Sequence, residues 1–370
     1  MPKEGRKNLR QRLRSFWHEW RMVVLLGVLI VGGAAFYRFV LQPRPRRLSA
    51  AAPYAVYFTQ GDAGQPTSRG IPAEIARDIA AAQKRILLAA PGLDVEEIAS
   101  ALLDARARGV EVRILEDPLR QEDPQVAATA ARLEQGGIPV AWHPSPGGLG
   151  ESFLVIDDRL LWAGSAEFSR AGLAQDAAYI LRWPIPALAE AFGREFDEMF
   201  VEHAFGRSSP KEAQRVHIAL PDRGSITVYF TPEDDPLSAI LQSMARVNSQ
   251  IAFLTERFDD PRLGERMSAE AMRAPVQLWG VYDPGGGIAP QILEALRKGR
   301  TMLAAYQGGG RLQENVLTVD EQTVFIFSQP LDAQGLDTRD GFVIALQDWD
   351  LGQRFGRELA RLYRQTQGSP

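Results

Sequence analysis

Self-similarity constrains a fold more tightly than composition does, because each copy must build the same kind of unit and bury the same apolar face. In this chain of 370 residues Val56-Tyr57-Phe58-Thr59 returns as Val228-Tyr229-Phe230-Thr231. Phe192-Gly193-Arg194-Glu195 returns as Phe355-Gly356-Arg357-Glu358, and the segment Phe153 to Asp157 (FLVID) returns as Val316 to Asp320 (VLTVD), both at an offset of 163 residues. Two matches at one offset, in the same order, are hard to attribute to chance. They divide the body into a first repeat at 54–204 and a second at 225–366. The intervening 205–224 is polar and marked by Pro and Gly, and reads as a linker.

Within each repeat the hydrophobic pattern alternates between strand and helix. The first repeat opens on a strand at AVYFT, then a helix over 72–84, a strand over 85–90 and a helix over 94–108 stopped by Gly109. A strand over 110–115, a helix over 124–135 stopped by Gly136-Gly137, and a strand over 138–142 follow. Phe153–Ile156 and Leu160–Ala163 form a hairpin turning at Asp157-Asp158-Arg159, then come a strand at 179–181 and a helix over 186–201. The second repeat follows the same order: strand 226–231, helix 236–247, strands 250–254 and 276–281, helix 289–298, strand 302–306, a hairpin over 315–328, strand 342–346 and helix 348–365. This predicts an α/β fold of two pseudo-symmetric lobes with mixed sheets.

The net charge of −4 conceals a split. Residues 1–47 hold eleven of the 42 Lys/Arg and two of the 46 Asp/Glu, so the remainder carries 31 bases against 44 acids, a net of −13. An acidic body argues against a general nucleic-acid binder, which needs counterion-releasing basic surfaces. Residues 22–41 are apolar apart from Arg38, long enough to cross a bilayer and flanked by Trp17, Trp20, Phe36, Tyr37 and Phe39 as interfacial aromatics. Seven bases precede this stretch and four follow it from Arg38 on, which places the basic 1–21 in the cytoplasm and the body outside. The n-region is too long and Ala50-Ala51-Ala52 too distant for a cleaved signal peptide, so the segment reads as an uncleaved anchor, with 42–53 a Pro-rich stalk. With no cysteine there are no disulfides and no thiolate chemistry, and His18, His143, His203 and His217 show no metal-ligand spacing.

The run Gly-Val-x-Val-Arg-Ile-Leu-x-Asp (109–117), then Gly-Gly-Ile-Pro-Val (136–140), then Phe153 to Ser169 resembles the phospholipase D superfamily, over about 48–366 as two tandem repeats. The hairpin ending in Gly164-Ser165-Ala166-Glu167-Phe168-Ser169 is its most specific stretch. The second repeat is weaker: Asp320 and Ser328 match, but Phe327 stands where a glycine is expected. The resemblance implies a signature in each repeat of histidine, one residue, lysine, four residues and aspartate. It further implies a phosphohistidine mechanism in which one imidazole attacks phosphorus, the other protonates the leaving alcohol and the lysines hold phosphate oxygens.

Counting back from Asp157, Gly150 holds the histidine position and Ser152 the lysine position; counting back from Asp320, Gln313 and Asn315 hold them. All four reactive residues are absent, so the family mechanism is not expected to run. His143, seven residues before Gly150, would reach the site only if the loop Pro144-Ser145-Pro146-Gly147-Gly148 folded back, and the second repeat offers it no partner. Glu151 and Glu314 occupy the middle position of both motifs; strand period turns them away from the cleft, as outward or structural groups. Pro284-Gly285-Gly286-Gly287-Ile288 and Gly308-Gly309-Gly310 read as plain loops, and Arg257 and Arg311 are the residual candidates for anion contact. The expectation is a protein anchored in a prokaryotic cell membrane, with no catalytic residue, metal or cofactor, that binds or scaffolds a protein partner or a lipid headgroup. Two other readings remain open: a divergent phosphodiesterase or phospholipase-type hydrolase with other residues recruited, and one half of a complex whose phospholipase D-like partner supplies catalysis.

Overall fold

The computed structural model describes residues 53–60, 70–144, 147–206, 216–220 and 224–366. The expected basic N-terminus and anchor, nearly all of the stalk and much of the linker lie outside these residues. Among the described residues no helix is long and apolar enough to cross a membrane.

The first repeat runs β1 (Ala55–Phe58), α1 (Ile71–Ala80), β2 (Arg85–Ala90), α2 (Glu96–Ala107), β3 (Glu111–Glu116), α3 (Pro124–Gln135), β4 (Val140–Trp142), β5 (Phe153–Ile156), β6 (Leu160–Gly164), α4 (Arg170–Ala174), β7 (Tyr179–Trp183) and α5 (Pro186–Asp197). Local chemistry sets these bounds. In α3, Asp123 caps the first turn through Gln125 N and Pro124 takes the position that needs no N–H donor. In α1 the buried Ile71, Ile75 and Ile79 recur every four residues on one face. After the short strand β8 (His217–Leu220), the second repeat runs β9 (Gly224–Thr231), α6 (Pro236–Met244), β10 (Gln250–Phe258), α7 (Pro261–Met272), β11 (Gln277–Ile288), α8 (Pro290–Arg297), β12 (Thr301–Ala305), β13 (Val316–Val319), β14 (Thr323–Phe327), α9 (Ala333–Asp337), β15 (Gly341–Gln347) and α10 (Trp349–Thr366).

The duplication is visible in strand order. One sheet reads β1-β7-β6-β5-β2-β3-β4; the other, in the same order of equivalent strands, reads β9-β15-β14-β13-β10-β11-β12 with β8 added beside β9. In both, a parallel run (β2-β3-β4; β10-β11-β12) joins an antiparallel run through the hairpin. The hairpin turns are equivalent too: Asp157 and Asp158, and Asp320 and Glu321, all take positive φ near 55°, as tight primed turns require.

Apolar side chains of both sheets and of α5 and α10 form one core between the repeats. Its centre is a reciprocal insertion. Phe192 of α5 packs edge-on against Phe153 of its own repeat and against Phe230 and Phe342 of the other, at 5.1, 5.1 and 5.0 Å. Its counterpart Phe355 of α10 packs edge-on against Phe58 and Tyr179 of the first repeat, at 5.5 and 4.9 Å. Gly193 and Gly356, next in sequence, let the hairpin turns approach: a Cβ on Gly193 would lie 3.2 Å from Asp158 Oδ1, and one on Gly356 3.3 Å from Glu321 Oε1.

Within the expected linker, His217–Leu220 pairs antiparallel with β9. Pro284–Ile288 is not a loop: β11 continues through it after a register shift, and Gly287 and Ile288 pair with Arg257 and Phe258. A whole helix, α7, was not anticipated, although Asp260 caps it and Pro261 begins it. Gly308–Gly310 is the loop expected, held by Gln60, whose Nε2 donates to Gly309 O.

The insertion generates a prediction. Phe192→Ala and Phe355→Ala each remove a buried ring from the shared core and should each cost about 3–5 kcal/mol. Thermal unfolding should remain one transition at a lower temperature, because each ring supports both repeats. Two separated transitions in either variant would contradict the shared core.

Candidate functional site

The two motif segments meet where the repeats join. Gly150 N donates to Asp340 O at 3.0 Å, and Gln313 N donates to Ala177 O at 2.8 Å, equivalent bonds that tie each motif to the chain just before β15 or β7 of the other repeat. Tyr179 Oη adds a third link by donating to Asn315 O at 2.6 Å.

At the histidine positions the two halves differ. No side chain fits at Gly150: a Cβ there would lie 2.5 Å from Asp340 O, 2.5 Å from Gln329 Oε1 and 2.9 Å from Arg339 Cδ, all from the second repeat. Gln313 does project a side chain, buried, with Nε2 donating to Glu167 Oε1 at 3.1 Å and Oε1 without a hydrogen bond. The lysine positions are buried, neutral and turned onto local groups. Ser152 Oγ donates to Ala166 O at 2.7 Å. Asn315 Nδ2 donates to Gln313 O at 3.1 Å, and its Oδ1 accepts from Glu256 N at 3.0 Å and Thr255 Oγ1 at 3.1 Å.

The matching motif positions bind backbone. Asp157 accepts from the N–H groups of Gln83, Lys84 and Arg85, and Asp320 from those of Asn248, Ser249 and Gln250, so each aspartate anchors the strand start beside its hairpin turn. Burial works against ionisation of Asp320, but hydrogen bonds from Ser249, Gln250 and Asn248 outweigh it and hold the carboxyl below its usual value. Ser165 Oγ accepts from Tyr179 N and Ser328 Oγ from Phe342 N, at 3.2 and 2.9 Å, pinning equivalent strand ends.

Glu151 and Glu314 are not outward. They are fully buried, and each meets the glutamate of the repeated FGRE motif. Burial pushes Glu151 and Glu195 well above the ordinary carboxylate range; Asp340, Glu233 and Glu198 add to the rise at Glu151, and Glu151 with the same three acids adds to it at Glu195. Burial likewise raises Glu314, which shares a hydrogen bond with Glu358, while Arg361 opposes the rise. A hydrogen bond between two carboxyls requires a proton on one of them. Glu198 and Arg361 stand at equivalent places 163 residues apart, so the second repeat carries a cation where the first carries an acid.

His143 follows β4, its N donating to Glu116 O at 2.9 Å. Its buried Nε2 lies 2.8 Å from Asp340 Oδ2, and its ring packs edge-on against Phe205 at 4.7 Å. It therefore reaches the wall of the first half-site, and its partner is an aspartate of the second repeat that spacing did not reveal. Neither candidate anion contact offers an uncompensated cation. Arg257 is held by Asp332 through Nε at 2.9 Å and through a second contact. Arg311 stands 3.6 Å from each of Glu167, Asp176 and Glu256. Among the described residues no group of three or more His, Cys, Asp or Glu side chains is arranged to hold a metal ion.

The fold and the paired motifs define a class. Residues 75–200 match the family model described as cardiolipin synthase, PLD-like domain. The chain is 31% identical over 118 residues to a phospholipase D of Rickettsia conorii, a match covering 32% of this chain and 58% of that protein. It is 21% identical over 195 residues to a mitochondrial cardiolipin hydrolase of Xenopus laevis, covering 50% of this chain and 92% of that one. Among solved structures, a phosphatidylserine synthase of Haemophilus influenzae superposes with a TM-score of 0.64 at 12% identity, over 85% of this chain and 89% of its own. A polyphosphate kinase of Porphyromonas gingivalis gives 0.60 at 12% identity, over 83% of this chain and half of its own length. These matches support the phospholipase D superfamily, with the family model confined to residues 75–200.

A buried acid beside the first half-site gives a pH-dependent prediction. Burial pushes Glu116, at the end of β3, up to about 8, with Asp117 and Asp94 adding to the rise. In the unfolded chain it ionises near 4.5, so its contribution is intact below that value and is lost as pH rises through about 8. Each pH unit in that window costs the folded state up to about 1.4 kcal/mol. Glu116→Gln should flatten the fall in melting temperature between these limits; an unchanged slope would refute the assignment.

Proposed function

We propose that this protein is a membrane-anchored, catalytically degenerate phospholipase D-like protein that acts by binding or scaffolding, with its body outside the cytoplasmic membrane of a prokaryote. The observation that carries this reading is the closure at Gly150. The histidine position there is not merely changed: its side-chain volume is taken by Gln329, Arg339 and the Asp340 carbonyl. A phosphohistidine cannot form on glycine or glutamine, and neither serine nor asparagine supplies a fixed cation for a phosphoryl oxygen. A protein partner or a lipid headgroup is the ligand class in view, and the apolar 22–41 is the anchor.

The purified full-length protein in detergent should hydrolyse neither bis-p-nitrophenyl phosphate nor cardiolipin or phosphatidylcholine presented in mixed micelles. Turnover lost on a point change at His143, Asp340 or Gln313 would replace this reading with that of a divergent hydrolase. Restoring the signature should fail as well. Gly150→His combined with Ser152→Lys, Gln313→His and Asn315→Lys should give no turnover, and Gly150→His alone should lower stability by about 1–3 kcal/mol or more through overpacking. The anchor is checked separately. Full-length protein should sediment with membranes and resist carbonate extraction, and a C-terminal alkaline phosphatase fusion should be active; a fusion active only as a cytoplasmic reporter would reverse the topology.

A further inference from the structure

The two halves of the junction have diverged in opposite directions. Where the first is filled, the second keeps a side chain at the histidine position and surrounds it with acceptors. Glu167 and Glu256 form its rim, with 19% and 29% of their side chains exposed, and Asp176 lies deeper at 6%. Asp283 is a fourth nearby carboxylate, but it is engaged by the N–H groups of Gly285 and Leu312.

The positive charge in this half-site is loosely held. Arg311 follows the Gly308–Gly310 loop, is about half exposed, and lies 3.6 Å from each of three carboxylates. That separation exceeds the 2.7–2.9 Å typical of charge-assisted hydrogen bonds. Gln313 Oε1 is buried without a hydrogen bond, as is Asp176 Oδ2, the oxygen that lies 3.6 Å from Arg311. Both can only accept. Gln313 is 96% buried by its 4% exposure, and its amide is fixed in place because Nε2 donates to Glu167. A buried acceptor left unpaired loses its hydration without compensation, so such atoms usually mark a missing donor. Burial raises the Glu256 carboxyl, with Glu167 and Asp283 adding to the rise and Arg311 and Arg257 opposing it.

We propose that this half-site, formed by Glu167, Asp176, Glu256 and Gln313 around Arg311, binds an organic cation through an alkylammonium or guanidinium group. Every unsatisfied atom is an acceptor and the surrounding charge is negative, so the ligand supplies N–H donors and positive charge. This is the reverse of the phosphate ligand that the family resemblance implies. Arg311 acts as a resident stand-in that the incoming group joins or displaces. The inference rests on the binding reading above and names the chemistry recognised at its site.

The test is calorimetric titration of the full-length protein in a non-ionic detergent at about 0.15 M salt, to screen diffuse attraction to an acidic surface. The probes are spermidine, a free polyamine, and acetyl-lysine methylamide, a protein side chain in miniature. At least one should bind; whichever is tighter identifies the source. Glu167→Gln should weaken binding at least tenfold, and Arg311→Ala should tighten it, whereas at an anion site Arg311→Ala would abolish binding. Should Glu167→Gln fail to fold, Arg311→Ala decides alone. The proposal is overturned if neither cation binds, if binding is indifferent to both variants, or if inorganic phosphate or magnesium binds in their place. A failure here with no phosphodiester turnover leaves the binding reading intact, whereas turnover would overturn that reading without bearing on the cation.

Discussion

The structure depends on two phenylalanines that each serve the other repeat. Phe192 belongs to α5 by sequence yet packs against β9 and β15 of the second repeat, and Phe355 of α10 packs against β1 and β7 of the first. Each helix is therefore part of its partner's core. Mixed sheets of this kind need both faces covered. Each C-terminal helix lies on the sheet of its own repeat and reaches across with one ring, so the inner faces of both sheets share one apolar layer. The same crossing brings the motif segments together, since Gly150 and Gln313 bond to chain just before β15 and β7. The junction is thus a by-product of core packing, and it is retained whatever residues line it.

The repeated FGRE motif is explained at its phenylalanine, its glycine and its glutamate. Phenylalanine makes the insertion, glycine admits the neighbouring hairpin turn, and glutamate meets the buried Glu151 or Glu314. Buried carboxyls usually weaken a fold unless protonated or paired. The second repeat offsets its pair with Arg361, whereas the first places Glu198 there, so the two junction halves differ in charge as well as in space.

Much of this was legible in the sequence because it is periodic. Strand β2 and helix α3 fall at the predicted residues, since Arg85–Ala90 is a short apolar run between polar breaks and α3 carries its own Asp-Pro start and Gly-Gly stop. Helix α7 carries the same kind of start at Asp260-Pro261 and an apolar spacing of four at Leu263, Met267 and Ala271, but its charged remainder hides the pattern. Strand β8 is only four residues, His217 to Leu220, exposed at His217 and Ala219, and is too short to carry a readable period. The motif substitutions were legible by counting. The burial of Glu151 and Glu314 was not, because strand period says which way a side chain points but not that another repeat waits there. The contacts at Gly150, with Gln329, Arg339 and Asp340, link residues nearly two hundred positions apart and have no local signature.

The covalent joining of the two repeats has a consequence for how such a site can change. In a symmetric dimer of identical chains every substitution appears twice, so a residue that fills one half of a shared cleft fills both. A tandem chain is free of that rule. Here one half is occupied to the backbone, the other keeps a buried glutamine beside several acids, and one core is shared between them. Duplication within one polypeptide separates the fate of each half-site from that of the scaffold, and lets a pair of once-equivalent surfaces acquire different chemistry without loss of the architecture that holds them together.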